Sequence, residues 1–212
     1  MRNLLQAAEP QQRPLKNRQK KSKRSTQSGE AKAKIIAALS QHHKYADDSG
    51  LKWVVSFVHD RDPSVTYFYD HSTGASRQLF RPYPHLDPHA MAPMTPVTIT
   101  ARDGLDLPSY LTLPVGAEPE GLPMVLLVHG GPWYRDSWSF DPIAQMLANR
   151  GYAVLQVNFR GSTGYGKSHT AAAVGEFAGK MHDDLIDAVE WAVAQGYADR
   201  DRVAIMGGSY GG

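Results

Sequence analysis

Three short apolar runs constrain this chain more than any other feature: residues 124–129 (MVLLVH), 153–159 (AVLQVNF) and 202–206 (RVAIM). Each is too short for an ordinary helix and is apolar without alternation, as expected of a strand covered on both faces. Each also breaks into glycine within two residues, at Gly130, Gly161 and Gly207. The stretches between them carry helical spacing. Residues 140–150 open on Asp141-Pro142 and stop at Gly151, and residues 183–195 place Leu185, Ile186, Val189 and Ala192 on one face. Strand alternates with helix, which predicts an α/β domain built on a mostly parallel sheet.

The preceding segments read differently. Residues 52–59 and 64–70 are β-branched and aromatic, with Arg61-Asp62-Pro63 as the turn between them, and Gly74 leads into a third strand over 76–80. Three strands in succession predict a β-meander. Pro82, Pro84, Pro88, Pro93 and Pro96 then make residues 81–96 an extended linker that forbids a helix. Beyond it, residues 97–101 and 107–113 form strands around the turn Arg102-Asp103-Gly104. The expected organisation is a tail over 1–50, the meander and linker over 51–90, and the α/β domain over 91–212. His85 and His89 have a metal-like spacing, but no helix carries them on one face, so no metal is expected.

Composition matters chiefly for the tail. The net charge is +2, yet residues 1–50 hold eleven Lys and Arg against four Asp and Glu. Residues 1–29 have too little apolar surface to offset ordering and are expected to be disordered, with a short amphipathic helix possible over 30–42. Lys20, Lys21, Lys23 and Arg24 could meet nucleic acid, but no aromatic side chain is interleaved for base stacking, so no nucleic-acid partner is expected. The absence of cysteine removes disulfides and thiolate chemistry. No apolar run is long enough to cross a bilayer, and no membrane partner is expected; the expected location is the cytoplasm. The sequence leaves the oligomeric state open.

Two glycine loops compete as the site. Gly207, Ser209 and Gly211 fit G-x-S-x-G, in which a tight strand-to-helix turn lifts a serine hydroxyl clear of the sheet and its glycine neighbours let the backbones approach. Residues 161–168 (GSTGYGKS) fit G-x-x-x-x-G-K-[ST], with Gly161, Gly166, Lys167 and Ser168 at the fixed positions, which taken alone reads as a nucleotide-binding P-loop. The later strand over 202–206 ends in glycine and serine and not in the Mg²⁺-holding Asp of that motif, so the serine reading is preferred and no cofactor is expected. Gly130-Gly131 at the end of a buried strand can present backbone N–H groups to an oxyanion, and His129 is read as shaping that loop.

HGGPW (129–133), NFRGSTGYG (158–166), KMHDDLIDAVEWAV (180–193) and GGSYGG (207–212) together resemble the prolyl oligopeptidase family of serine peptidases, in its acylaminoacyl-peptidase and dipeptidyl-aminopeptidase branch. The resemblance implies a partial α/β-hydrolase fold ending at the nucleophile elbow, preceded by a remnant of a β-propeller blade over 51–90. It implies Ser209 as nucleophile, the backbone N–H groups of Gly131 and Tyr210 as oxyanion donors, and a peptide as substrate; an esterase would share this chemistry. It makes 161–166 a structural loop beside the site. The family's catalytic Asp and His follow the serine in chain order, and His129, His169, His182, Asp183 and Asp184 all precede it. The expectation is therefore a fragment with little activity of its own, in which the strand over 202–206 is an exposed apolar edge.

Overall fold

The computed structural model describes residues 46–212, so the expected disordered tail over 1–29 and the helix over 30–42 lie outside the described residues. The described chain forms two compact units. One takes in the described residues up to Val55 together with Tyr67–Gln78; the other holds Ser56–Thr66 and Leu79–Gly212. The three expected meander strands are present as β1 (Lys52–Phe57), β2 (Val65–Asp70) and β3 (Ala75–Phe80), paired in that order. In the first unit the Trp53 ring lies 6.1 Å from Tyr69 and 5.3 Å from His71, so its aromatic residues serve packing.

The second unit is built on a five-stranded sheet in the order β4-β5-β7-β6-β8. Here β4 (Met94–Thr100) and β5 (Asp106–Thr112) form the hairpin expected at Asp103-Gly104, and β5 pairs antiparallel with β7 (Ala153–Val157). Only β7 with β6 (Leu122–Val128), and β6 with β8 (Ala198–Gly207), pair in parallel. The sheet is thus mixed, not mostly parallel. The reason lies in the connections: the tight turn between β4 and β5 permits only antiparallel pairing, whereas a parallel pair needs a crossover long enough to hold a helix. Those crossovers contain α1 (Pro142–Ala148) between β6 and β7, and α2 (Lys167–Ala171) and α3 (Lys180–Ala194) between β7 and β8.

Both faces of β6 and β7 are covered, which explains their unbroken apolar character. Met124, Leu126, Val128, Ala153, Leu155 and Val157 pack with Met181, Leu185, Ala188 and Ala192 of α3. The alternate residues Leu127 and Val154 pack with Ala144 and Leu147 of α1. Asp141 caps α1, its Oδ1 accepting from the N–H groups of Ile143 and Ala144, with Pro142 in the first turn. The proline-rich linker is not wholly extended: Pro88–Ala90 form one 3₁₀ turn, which Pro88 permits because it stands in the first position and Asp87 caps it. Pro96 falls inside β4, an outer strand of the sheet where a missing N–H is tolerated. At the other edge β8 leaves Ile205 and Met206 exposed.

A buried ion pair ties the sheet to α3. The Arg160 guanidinium, 4% exposed, donates from Nε and Nη2 to the two carboxylate oxygens of Asp184, 0% exposed, at 2.9 and 2.6 Å. The Arg160 backbone N–H donates to the same carboxylate at 2.8 Å, and the remaining guanidinium N–H groups reach Asp103 in the β4–β5 turn at 2.9 and 3.0 Å. These bonds raise the Arg160 pKa and hold the Asp103 carboxyl well below the usual carboxylate range. Arg102 makes a comparable but exposed set to Asp187 and Asp183. Removing one partner of a buried pair strands the other charge, whereas an exposed pair is screened by water. Asp184→Ala is therefore expected to lower the unfolding free energy by roughly 3–5 kcal/mol in urea titration, and Arg102→Ala by about 1 kcal/mol or less; equal losses would contradict this assignment.

Candidate active site

The site begins where β8 stops. The chain passes Gly208 in extended conformation and closes a single 3₁₀ turn, Ser209–Gly211, with Ser209 itself at φ +58°. Positive φ on a residue with a side chain is strained and is held only where the surroundings impose it. What imposes it is backbone proximity. A Cβ at Gly207 would collide with the carbonyl oxygens of Gly211 and Val128, and one at Gly211 would collide with the Val128 carbonyl. The two glycines of the motif are thus required by contact with the end of β6.

From Val128 the chain continues into His129, Gly130 and Gly131, so the same contact places this loop beside the serine. A Cβ at Gly130 would lie 3.3 Å from Ser209 Cβ and 3.8 Å from Ser209 Oγ. Gly131 follows at φ +152°, where a side chain would meet the Trp133 backbone nitrogen at 3.0 Å, and a cis peptide bond leads into Pro132. Tyr210 packs its ring 5.1 Å from Phe159 and 4.8 Å from Phe177, and burial raises its hydroxyl pKa.

His129 is committed to the loop. Its Nδ1–H donates to the Gly130 carbonyl at 2.7 Å, which fixes the tautomer and leaves Nε2 to accept from the Ser162 hydroxyl at 2.9 Å. The ring stacks on Phe159 at 4.5 Å, and burial lowers its pKa, so it stays neutral. Tyr134, His129, Phe159 and Tyr210 form a continuous aromatic ladder from the glycine loop to the elbow. His169 is buried, with Nε2 at 3.1 Å from the Phe159 carbonyl, while His182 is exposed on α3.

Two glycines of the P-loop-like segment have a packing role, while Gly166 has open space where a Cβ would stand. Gly161, at φ +98°, leaves room for Pro132 and Ala173; Gly164, at φ +90°, is filled by Arg135. The segment is the neighbour that the 130–136 loop lies against, and the helix after it, α2, has five residues.

Sequence reasoning missed a polar cluster under this loop. Asn158, fully buried, accepts from the Asp136 N–H at 2.8 Å through Oδ1, and donates through Nδ2 to the Asp136 carbonyl and to the Tyr165 hydroxyl. Gln156 on β7 donates to the outer oxygen of Asp141 at 3.1 Å. Gln156 lies in the otherwise apolar β7 and Asn158 directly follows it, and a polar residue in a fully covered apolar run was the available signal.

Residues 138–212 match the model of the prolyl oligopeptidase family. The chain is 55% identical over 167 residues to dipeptidyl aminopeptidase BIII of Pseudoxanthomonas mexicana, across 76% of this chain and 24% of that protein. Residues 138–212 belong to the prolyl oligopeptidase family of serine peptidases. The chain is also 40% identical over 181 residues to dipeptidyl peptidase family member 6 of Caenorhabditis elegans, again across 76% of this chain and 24% of the relative. Among solved structures, a puromycin-hydrolyzing peptidase of Mycobacterium tuberculosis superposes with a TM-score of 0.69 at 29% identity, covering 76% of this chain and 26% of that one. The chain thus spans about a quarter of the length of the curated relatives it matches.

The elbow geometry distinguishes adjacent glycines. Gly208 has φ −137° and open space where a Cβ would stand. Gly208→Ala is expected to change stability by no more than about 0.5 kcal/mol, whereas Gly207→Ala, which forces β8 away from β6, is expected to cost roughly 1–3 kcal/mol or more in thermal unfolding.

Proposed function

We propose that the chain supplies the nucleophile and oxyanion site of a peptidase that hydrolyses short peptides through an acyl-enzyme, with Ser209 attacking and the backbone N–H groups of Gly131 and Tyr210 receiving the oxyanion. The observation that supports this reading most is the strained φ of Ser209 beside the Gly130 backbone, at the end of a β-strand. Ser209 Oγ bonds to the peptide carbonyl carbon as its electron pair moves onto oxygen. The C–N bond then breaks with the amine leaving protonated, and water hydrolyses the ester that remains. The names of the relatives point to dipeptides released from a free N-terminus and to aminoacyl amides such as puromycin as the substrate class.

The attack needs a proton acceptor. His129 has both ring nitrogens engaged, and His169 has Nε2 directed to the Phe159 carbonyl. In this fold the acidic residue and the base follow the nucleophile, so neither of these imidazoles is proposed as the acceptor.

A fluorophosphonate bearing a short peptide tests the nucleophile apart from turnover, because its leaving group is reactive enough to report a weakly activated serine. Single-site phosphonylation is expected at Ser209 by peptide mass spectrometry, lost in Ser209→Ala. Labelling of another serine, or equal labelling in Ser209→Ala, would overturn the assignment of Ser209.

A further inference from the structure

The cluster beneath the glycine loop contains two buried oxygens without a partner, Asp136 Oδ2 and Gln156 Oε1. Both are acceptors if Asp136 is ionised, and buried acceptors are rarely left unpaired. Among the described residues no cation is bonded to either oxygen. From α1 the nearest charge is Asp141, whose Oδ1 is taken by the Ile143 and Ala144 N–H groups and whose Oδ2 is taken by Gln156 Nε2. The Asp141 charge repels a second anion at Asp136. From β7 and the residue that follows it come the neutral amides of Gln156 and Asn158; from β5 and the 161–166 loop come Tyr110 and Tyr165, the latter with its pKa pushed up to about 12 by burial and hence un-ionised. Arg135, the charged neighbour in the loop, is turned against Gly164.

We propose that Asp136 is a positioning residue that holds the loop bearing Gly131 through a proton shared between its Oδ2 and the Gln156 side-chain oxygen. One proton satisfies both orphaned atoms and removes the repulsion from Asp141. Burial first, and then the Asp141 charge, push the Asp136 carboxyl up to about 7, against an opposing contribution from the Gln156 amide. The backbone of Asp136 is fixed by Asn158 on both its N–H and its carbonyl. The loop from Gly131 to Asp136 therefore has one end beside Ser209 and the other on this carboxyl. Loss of the proton leaves two anions and an unpaired amide oxygen under the loop, which loosens it. The consequence for catalysis rests on Gly131 as an oxyanion donor, whereas the proton does not.

The test uses no substrate, so its failure and the failure of the peptidase reading are separable. Unfolding equilibria and amide hydrogen exchange of residues 131–136 are followed from pH 5 to 8 for the chain and for Asp136→Asn. The folded chain keeps a proton that the unfolded chain releases near the ordinary carboxylate value of 3.8, so stability is fully present below that value and is lost as pH rises through about 7. This one group is expected to raise the unfolding constant on the order of hundredfold between pH 5 and 8, with faster exchange at Gly131. Asp136→Asn, whose amide donates to Gln156 without titrating, is expected to lack that component and to keep its exchange slow at pH 8. Identical pH profiles for the two proteins would overturn the proposal, as would a uniform loss in Asp136→Asn at every pH. Stabilisation of the unsubstituted chain by added Na⁺ or Ca²⁺, absent in Asp136→Asn, would overturn it too, by showing a cation where the proton is placed.

Discussion

The Val128 carbonyl is the point on which the site turns. It lies against both Gly207 and Gly211, so the last residues of β8 and the turn that follows can close only because those positions lack a Cβ. The contact exists because β6 and β8 pair in parallel up to Val128 opposite Gly207, bringing the carboxyl ends of the two strands together. From there one chain continues as the glycine loop and the other as the elbow. The strain at Ser209 and the proximity of Gly130 to its hydroxyl are two consequences of the same close approach.

The surrounding structure holds that approach in register. The aromatic ladder from Tyr134 to Tyr210 connects the loop to the elbow through side chains, with His129 serving as a neutral, doubly hydrogen-bonded rung. Below it, Arg160 joins the end of β7 to α3 and to the β4–β5 turn through one buried guanidinium. Such a pair is weak evidence of net stability but strong evidence of geometry, because its bonds are satisfied in only one arrangement of three segments. The 161–166 loop adds the third wall, its glycines admitting Pro132 and Arg135.

Much of this was legible in the sequence, for identifiable reasons. The runs over 124–129 and 153–159 marked strands covered on both faces, Asp141-Pro142 marked a helix start, and Gly207, Ser209 and Gly211 marked the elbow. The proportion of parallel pairing was not legible, because the residues of β5 fit either direction and the antiparallel partner of β7 is fixed by tertiary packing. Nor was the cluster of Asp136, Asp141, Gln156 and Asn158: those residues are scattered over twenty-three positions, and only the fold brings their side chains together. The P-loop pattern at 161–168 matched by spacing alone, while Gly161 and Gly164 answer to neighbours that a linear motif does not contain.

The proposed oxyanion site requires backbone donors of the glycine loop and of the elbow to meet at one oxygen of a Ser209 adduct. The direct measurement is a crystal structure of the phosphonylated chain. The phosphonyl oxygen is expected within about 2.7–3.1 Å of both the Gly131 and Tyr210 backbone nitrogens. An oxygen directed to solvent, with neither nitrogen in reach, would contradict it.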